Sequence, residues 1–375
     1  MRFGHGHLAY CTNIHPAESW EDTFRAISTH AMAVRDQVVQ SGEAYAIGLR
    51  LSARAARELL EGDRLEHFKK WLLSENAYVF TINGFPYGDF HGTRVKENVF
   101  KPDWTTAERL DYTQQLFKIL AAILPEGVDG SVSTLPGSHK TFGADEAAIF
   151  ANLETLAVFL DELSESTGRD FHLGLEPEPL GHFENTAETI AFFERMKAVS
   201  PDPARLLRRL GINYDACHFA LQYEDARTSL DALVAAGLRI SKIHLSSAIS
   251  LDPRDHEAVN AIRRFEEPVY FHQVIARSAN GSLKRFLDLP DALAAHEPAE
   301  EWRVHFHIPL DAEPAAPLGS TRQQVIDVLA WRRDHPLACT HYEIETYTWG
   351  VLPESMQRPV VEQIAAEYRW VEAQA

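Results

Sequence analysis

Short apolar runs alternate with longer stretches whose apolar residues return every three or four positions, and the alternation runs the length of the chain. The short runs predict strands beginning at Gly6, Ala46, Tyr78, Val128, His172, Gly211, Ile240 and His341. Between them lie amphipathic helices. One is predicted from the cap residue Ser52, with Leu60, Leu65, Phe68 and Leu72 as its apolar stripe. A second starts near Thr105, with Leu110, Leu116, Ile119, Leu120 and Ile123 on one face. Such stripes suit helices that bury one face against a sheet. Eight strands separated by helices predict an α/β chain folded as a (β/α)8 TIM barrel, one domain over residues 1–375. One stretch breaks the rhythm. WRVHFHIPL at 302–310 is a ninth strand-like run, and PVYFHQVIAR precedes it, so 249–338 reads as a region inserted before the last strand.

Composition narrows this picture. The 375 residues are 45% hydrophobic and 24% charged, ordinary for a folded chain with a sizeable core. There are 36 Lys and Arg against 54 Asp and Glu, a net charge of −18 with no basic block, which argues against a nucleic-acid partner. Cys11, Cys217 and Cys339 are scattered and fit a reducing compartment. With no apolar leader at MRFGHGHLAY and no run of about 18 apolar residues, the expectation is a cytoplasmic protein without membrane insertion.

In a parallel barrel the chemistry gathers where strands end, and the charged residues of this chain do so. Glu176 ends the fifth strand, Asp215 and His218 the sixth, His244 the seventh, and Glu343 and Glu345 stand near the end of the eighth. Side chains two apart share a face, which groups Glu343 with Glu345 and Tyr347, Asp215 with Asn213, and His244 with Ser246. A charge in an otherwise apolar strand is costly to bury without a partner. Carboxylates with one imidazole make a hard, mostly oxygen donor set suited to one divalent ion: Mn, Mg, Co or Zn. Read singly, each has a structural alternative: Glu176 as an arginine partner, His244 as a satisfied core histidine.

These strand ends resemble those of the xylose-isomerase-like TIM barrels, which include sugar phosphate isomerases and epimerases and the endonuclease IV nucleases. LGLEPEP, INYDACH, KIHLSSA and EIETYTW follow that superfamily's order and spacing over about residues 172–350. Through YCTNIHPAESW, LGLEPEPLG, YDACH, RVHFHIPL and EIETYTWGVLP, the whole chain resembles the metabolite traffic protein EboE family. The resemblance implies Glu176, Asp215, His244 and Glu345 as metal ligands, Glu176 and Glu345 also as the catalytic proton-transfer groups, and His218 beside the substrate. It implies a small polyhydroxylated metabolite, a sugar or cyclitol, that is isomerised or epimerised. Two departures matter. The third and fourth strands end in FTINGF and SVSTLPG, without the histidines that hold extra zinc in the nucleases, and His244 is followed by Ser246 and Ser247 in place of an acidic residue.

Other candidates remain open. His305 and His307 share a strand face and would either replace His244 as ligand, bind substrate, or bond within the inserted region. His272 and Arg277 would reach substrate from a covering segment or serve only structure. The loop NGFPYGDFHGTRVKENVF offers Phe85, Tyr87, Phe90 and His91 as a cover; His15, His139 and Lys140 are weaker candidates. Two further functions fit the same barrel: a noncatalytic metabolite carrier, and a metal-dependent phosphoesterase.

Overall fold

The computed structural model describes residues 1–88, 90–91, 96–295 and 297–375. Eight parallel strands form its centre: β1 (Gly6–Tyr10), β2 (Tyr45–Arg50), β3 (Ala77–Asn83), β4 (Gly130–Thr134), β5 (Phe171–Leu175), β6 (Leu210–Asp215), β7 (Arg239–Leu245) and β8 (His341–Ile344). Each pairs with its chain neighbours from β2 to β7; β8 lies between β7 and β1, and Cys11, just past β1, closes the ring through a parallel bridge to Gly48 of β2. This is the predicted TIM barrel, with every predicted strand in place. A two-residue strand, Arg2–Phe3, adds an antiparallel edge to β1.

The strands read as apolar runs because both faces are covered. Nearly every strand residue is buried, including the interior-facing polar ones. Gly48 shows how tightly the interior is filled: a Cβ there would stand 2.1 Å from Glu343 Oε1 and 2.4 Å from the Tyr10 carbonyl.

The outer helices follow the predicted stripes with one correction. Ser52 caps as expected, its hydroxyl accepting from Ala55 N–H, but the predicted long helix divides into Ala53–Leu60 and Arg64–Ser74. Glu61, extended at φ −83°, ends the first helix, and Gly62 turns the chain at φ +63° before the second. The first helix buries Leu59 and leaves Leu60 at the surface. Thr106 caps the helix Ala107–Ile123, which buries Leu116, Ile119, Leu120 and Ile123 as its spacing predicts.

The unusual region follows β7. Segments Leu283–Phe286, Val274–Arg277, Glu301–Val304, Ile249–Leu251 and Gly319–Ser320 lie side by side, in that order, as an antiparallel sheet of five strands. It has its own apolar cluster, with Phe265, Val274, Trp302 and Phe306 among its members. Ile275 packs on Cys217, Leu221 and Ala248 just beyond the ends of β6 and β7, which seats the sheet over the barrel's C-terminal mouth. The chain then returns through helix Gln323–Asp334, whose Val325, Val328 and Leu329 join the main core. Among the described residues no helix is long and apolar enough to cross a membrane.

Candidate metal centre

Strand register builds the centre. His244 of β7 is aligned with Asp215 of β6 on one side and Glu343 of β8 on the other. Glu176 and Glu345 each stand just past a strand end, where their N–H groups still reach the neighbouring strand at Thr134 O (2.9 Å) and Leu245 O (3.2 Å). The result is one imidazole nitrogen ringed by three carboxylates. His244 Nδ1 is 3.2 Å from Glu345 Oε2 and 3.4 Å from both Glu176 Oε1 and Asp215 Oδ2. Donor atoms of these four residues all lie within 4.8 Å of one another, and all four residues are buried.

The remaining atoms of the four side chains are held in place. Glu176 Oε2 accepts from Asn213 Nδ2 at 2.7 Å, and Glu345 Oε1 from Asn13 Nδ2 at 2.8 Å and Asn83 Nδ2 at 3.2 Å. Asp215 Oδ1 accepts from Ser246 Oγ at 2.7 Å and His218 N–H at 3.1 Å. His244 Nε2 donates to Glu343 Oε2 at 3.0 Å, and that oxygen also takes the fully buried Lys242 ammonium at 2.7 Å. With one proton held on Nε2 by Glu343, the His244 ring turns Nδ1 to the three carboxylates, where it either carries a second proton or serves as a ligand. One oxygen of each carboxylate is therefore anchored by a neutral donor while the other points at Nδ1. Asp215 Oδ2 has no hydrogen-bond partner among the described residues.

Such an arrangement calls for positive charge. Burial would lower the His244 pKa, but Glu345 and Glu176 outweigh it and raise it well above its ordinary value. Burial would raise the Asp215 carboxyl; the imidazoles of His218, His307 and His244 instead hold it well below the usual range. A proton on His244 Nδ1 and a divalent ion at the same point answer the same electrostatic demand. The unpartnered Asp215 oxygen and the three-carboxylate, one-imidazole donor set fit the ion.

Above this cluster opens a cleft of about 580 Å3, counting its mouth. Glu176, Glu178, His218, His305 and Glu345 are its polar floor, with Asn13, Asn83 and Gln273; Phe85, Phe90, Phe100, Tyr270 and Tyr347 are its aromatic wall. Burial pushes the Glu178 carboxyl up to about 8 against the pull of His218.

Other sequence candidates separate clearly. His218 and His305 line the cleft; His307 lies beneath it, bonded from Nδ1 to Glu345 O at 3.0 Å. His272 is directed elsewhere: its two ring nitrogens bond to His305 O (2.9 Å) and Glu267 Oε1 (2.8 Å), so it ties the inserted region together. Arg277 pairs with Glu301 and lies over the Tyr223 ring at 4.6 Å, also away from the cleft. Of the loop after β3, Phe85 and Phe90 line the cleft, Tyr87 packs on Tyr112, and His91 bonds to Asn13 O and Tyr270 OH; positions 89 and 92–95 lie outside the described residues. His15 bonds to Tyr10, His139 to Thr141, and Lys140 to Glu184 and Glu188. Sequence reasoning missed Glu178, Asn13, Asn83 and Gln273. Glu178 alone carried a signal, standing two residues from Glu176 in LEPEP.

No family model matches the chain, and no curated protein matches it in sequence. Among solved structures it is similar to L-ribulose 3-epimerase, at 11% identity and a TM-score of 0.51, over 98% of this chain and 95% of that one. It is likewise similar to D-psicose 3-epimerase determined in the presence of D-fructose, at 11% identity and a TM-score of 0.50, over 98% and 96% of the two chains. At such identity the common ground is the fold alone, a (β/α)8 TIM barrel.

Proposed function

We propose that the protein is a divalent-metal-dependent isomerase or epimerase acting on a sugar, cyclitol or related polyhydroxylated carbonyl compound. One observation carries this reading: two buried glutamates, Glu176 and Glu345, share a centre with Asp215 and His244 and also line the floor of an aromatic-walled cleft. Glu176, Asp215, His244 and Glu345 would hold the ion. When bound, a divalent ion there polarises a carbonyl and its neighbouring hydroxyl and so acidifies the C–H between them.

The chain's own residues do the rest. Of the two glutamates, one takes the proton from carbon and the other returns one. Asn213 fixes Glu176, and Asn13 and Asn83 fix Glu345, so neither carboxylate swings away from its working position. The aromatic wall excludes water and offers flat apolar surface to the C–H face of a sugar ring, while Glu178, His218 and Gln273 are placed for hydroxyl groups.

The likeness in fold to L-ribulose and D-psicose epimerases supports this substrate class, and the acidic chain suits an uncharged partner better than nucleic acid. A carrier that holds such a metabolite unreacted is the reading that the sequence resemblance to the metabolite traffic protein EboE family supports. Incubation of the metal-loaded protein with ketoses and cyclitol ketones in deuterium oxide separates the two. Deuterium entering one substrate carbon marks the enzyme; tight binding with no exchange marks the carrier. Protein that retains no stoichiometric divalent ion sinks the metal-dependent reading.

A further inference from the structure

The cleft above the metal centre separates its polar groups from its apolar ones. Its carboxylates, imidazoles and amides all belong to the cleft floor, and one atom there, Asn13 Oδ1, has no hydrogen-bond partner among the described residues. The wall is built from aromatic rings that three distant segments supply: Phe85, Phe90 and Phe100 after β3, Tyr270 and Phe271 in the inserted region, and Tyr347 after β8. The Phe90, Tyr270 and Tyr347 rings pack as a trio with centroids 5.2, 5.3 and 5.5 Å apart, and Phe85 meets Phe100 edge to face at 5.5 Å. Phe271 is half-buried and faces the opening.

The polar atoms of this wall are already engaged. The Tyr270 hydroxyl donates to Phe90 O at 3.0 Å. The Lys96 ammonium, the one lysine or arginine head among the described lining residues, pairs with Asp288 and stands 5.1 Å over the Phe271 ring. Asp288 in turn accepts from the His272 and Leu289 N–H groups at 3.0 Å each, which fixes the pair to the inserted region. Tyr347 belongs with the floor through its hydroxyl: burial raises its pKa, and the Glu178 and Glu345 carboxylates raise it further. A polyhydroxylated chain suits such a cleft at one end only. The floor takes a carbonyl and the hydroxyls beside it. Hydroxyls farther out would lose their water against rings that offer no donor or acceptor, and each would leave hydrogen bonds unmade. A flat apolar group in the same place is favoured by the burial that penalises the hydroxyls.

We propose that the substrate of this cleft is amphipathic: an oxygen-rich head that carries an α-hydroxycarbonyl unit, joined to an uncharged, planar apolar tail, an aromatic or unsaturated ring. The head meets the metal centre and the cleft floor; the tail lies against the six rings of the wall. The tail is uncharged because Asp288 already holds Lys96, so no lysine or arginine of the described lining is left to answer an anion. The inference rests on the proposed function for the chemistry of the head and on the wall alone for the tail. It narrows the substrate from free sugars to compounds in which a ring takes the place of the far hydroxyls.

The test compares two ligands with the same head, phenacyl alcohol and dihydroxyacetone, which differ by a phenyl ring in place of a hydroxymethyl group; D-fructose serves as the free sugar. Binding to the metal-loaded protein is measured by titration calorimetry, and deuterium entry beside the carbonyl by NMR in deuterium oxide. Phenacyl alcohol is expected to bind about 30- to 100-fold more tightly than dihydroxyacetone, the gain from burying one ring. Phe271→Ser and Phe90→Ser are each expected to cut that preference about 5- to 10-fold in protein that keeps its metal. Equal affinity for phenacyl alcohol and dihydroxyacetone, or tighter binding of D-fructose, overturns the proposal, and so does a preference that neither variant weakens. Tight binding of phenacyl alcohol without deuterium exchange upholds the apolar tail and overturns the isomerase reading; exchange confined to D-fructose upholds the isomerase and overturns the tail.

Discussion

The two ends of the barrel gather the same residue types to opposite effect. At the N-terminal floor, His172 and His341 stand in the first residues of β5 and β8 and meet Asp129, whose two oxygens lie 3.3 Å from His172 Nε2 and from His341 Nε2. Arg239 reaches the same carboxylate at 3.4 Å and Asp170 at 2.8 Å, Thr340 adds a hydroxyl, and Ser131 bonds the far nitrogen of His341. Charge is answered from within. Burial would raise the Asp129 carboxyl, but His341 and His172 hold it well below the usual range. At the C-terminal mouth, four carboxylates face imidazoles, amides and hydroxyls, while Lys242 is taken by Glu343 and Lys96 by Asp288. Clusters of histidine and carboxylate occur at both ends; among the described residues an arginine reaches the floor cluster, while at the mouth only imidazoles pair with the four carboxylates, and that difference sets the mouth apart.

The comparison breaks most visibly at Glu345. Glu345→Gln is expected to release the ion of the metal centre and to lower any solvent exchange at substrate carbon by about a thousandfold, the scale of a lost acid–base group. Stability is expected to fall modestly, since His244 and His307 hold the Glu345 carboxyl below its ordinary range and that contribution is lost with the charge. Loss of folding without loss of metal would place Glu345 with the floor residues. Asp129→Asn is the matching change at the other end. It takes the shared acceptor from His172 and His341 and leaves Arg239 with Asp170 alone, and is expected to cost about 1–2 kcal/mol of stability in denaturant unfolding while the metal count stays unchanged. A variant that keeps its stability and loses metal would reverse the assignment of the two ends.

Between these extremes stands Glu343, which touches the centre only through His244. Glu343→Gln retains the shape but weakens the anchor on Nε2 and leaves Lys242 unmatched, so metal affinity is expected to fall about 10- to 100-fold. Competition with a chelator measures it. An unchanged affinity would show that register alone aims the ring.

How far the sequence carried follows the same division. The eight strands were legible because a strand covered on both faces must be apolar, and the turn to polar residues at its end is local. That rule and side-chain parity gathered Glu176, Asp215, His218, His244, Glu343 and Glu345 at the strand ends; the family resemblance implied Glu176, Asp215, His244 and Glu345 among them as ligands, and the fold brings those four together. What fixes them was not legible. Asn13 and Asn83 meet Glu345 across 332 and 262 residues of chain, through closure of the ring, which no local pattern reports. Gln273 and His305 arrive from an inserted sheet whose placement depends on Ile275 packing against Cys217 and Leu221. His272 and Arg277 looked equally suited to the cleft in sequence, but Glu267 and Glu301, five and 24 residues away, claim them. Gly62 was visible, yet a glycine within an apolar stripe does not say that the helix ends there.

Glu367 sharpens the comparison with a third way to bury a carboxylate. It lies behind the mouth on helix Val360–Gln374, 1% exposed, and accepts from Thr346 Oγ1 at 2.7 Å and Gln363 Nε2 at 3.1 Å. Burial pushes its pKa up to about 8; Thr346 opposes and the Asp311 carboxylate adds to the rise. The floor answers a half-buried carboxylate with Arg239 and two imidazoles, and the mouth offers a place for a cation; Glu367 keeps its own proton. In the unfolded chain that proton leaves near pH 4.5, so between about 4.5 and 8 the folded state binds more protons, and stability falls as pH rises through this window. The slope from this one group is at most about 1.4 kcal/mol per pH unit. Glu367→Gln supplies a neutral group of the same shape and is expected to flatten the decline in unfolding midpoint between pH 5 and pH 8, leaving the variant more stable than the parent at pH 8 and little changed at pH 5. Parallel curves for the two proteins would mean that Glu367 is ionised in the fold and that a cation near Thr346 answers it, as Arg239 answers Asp129.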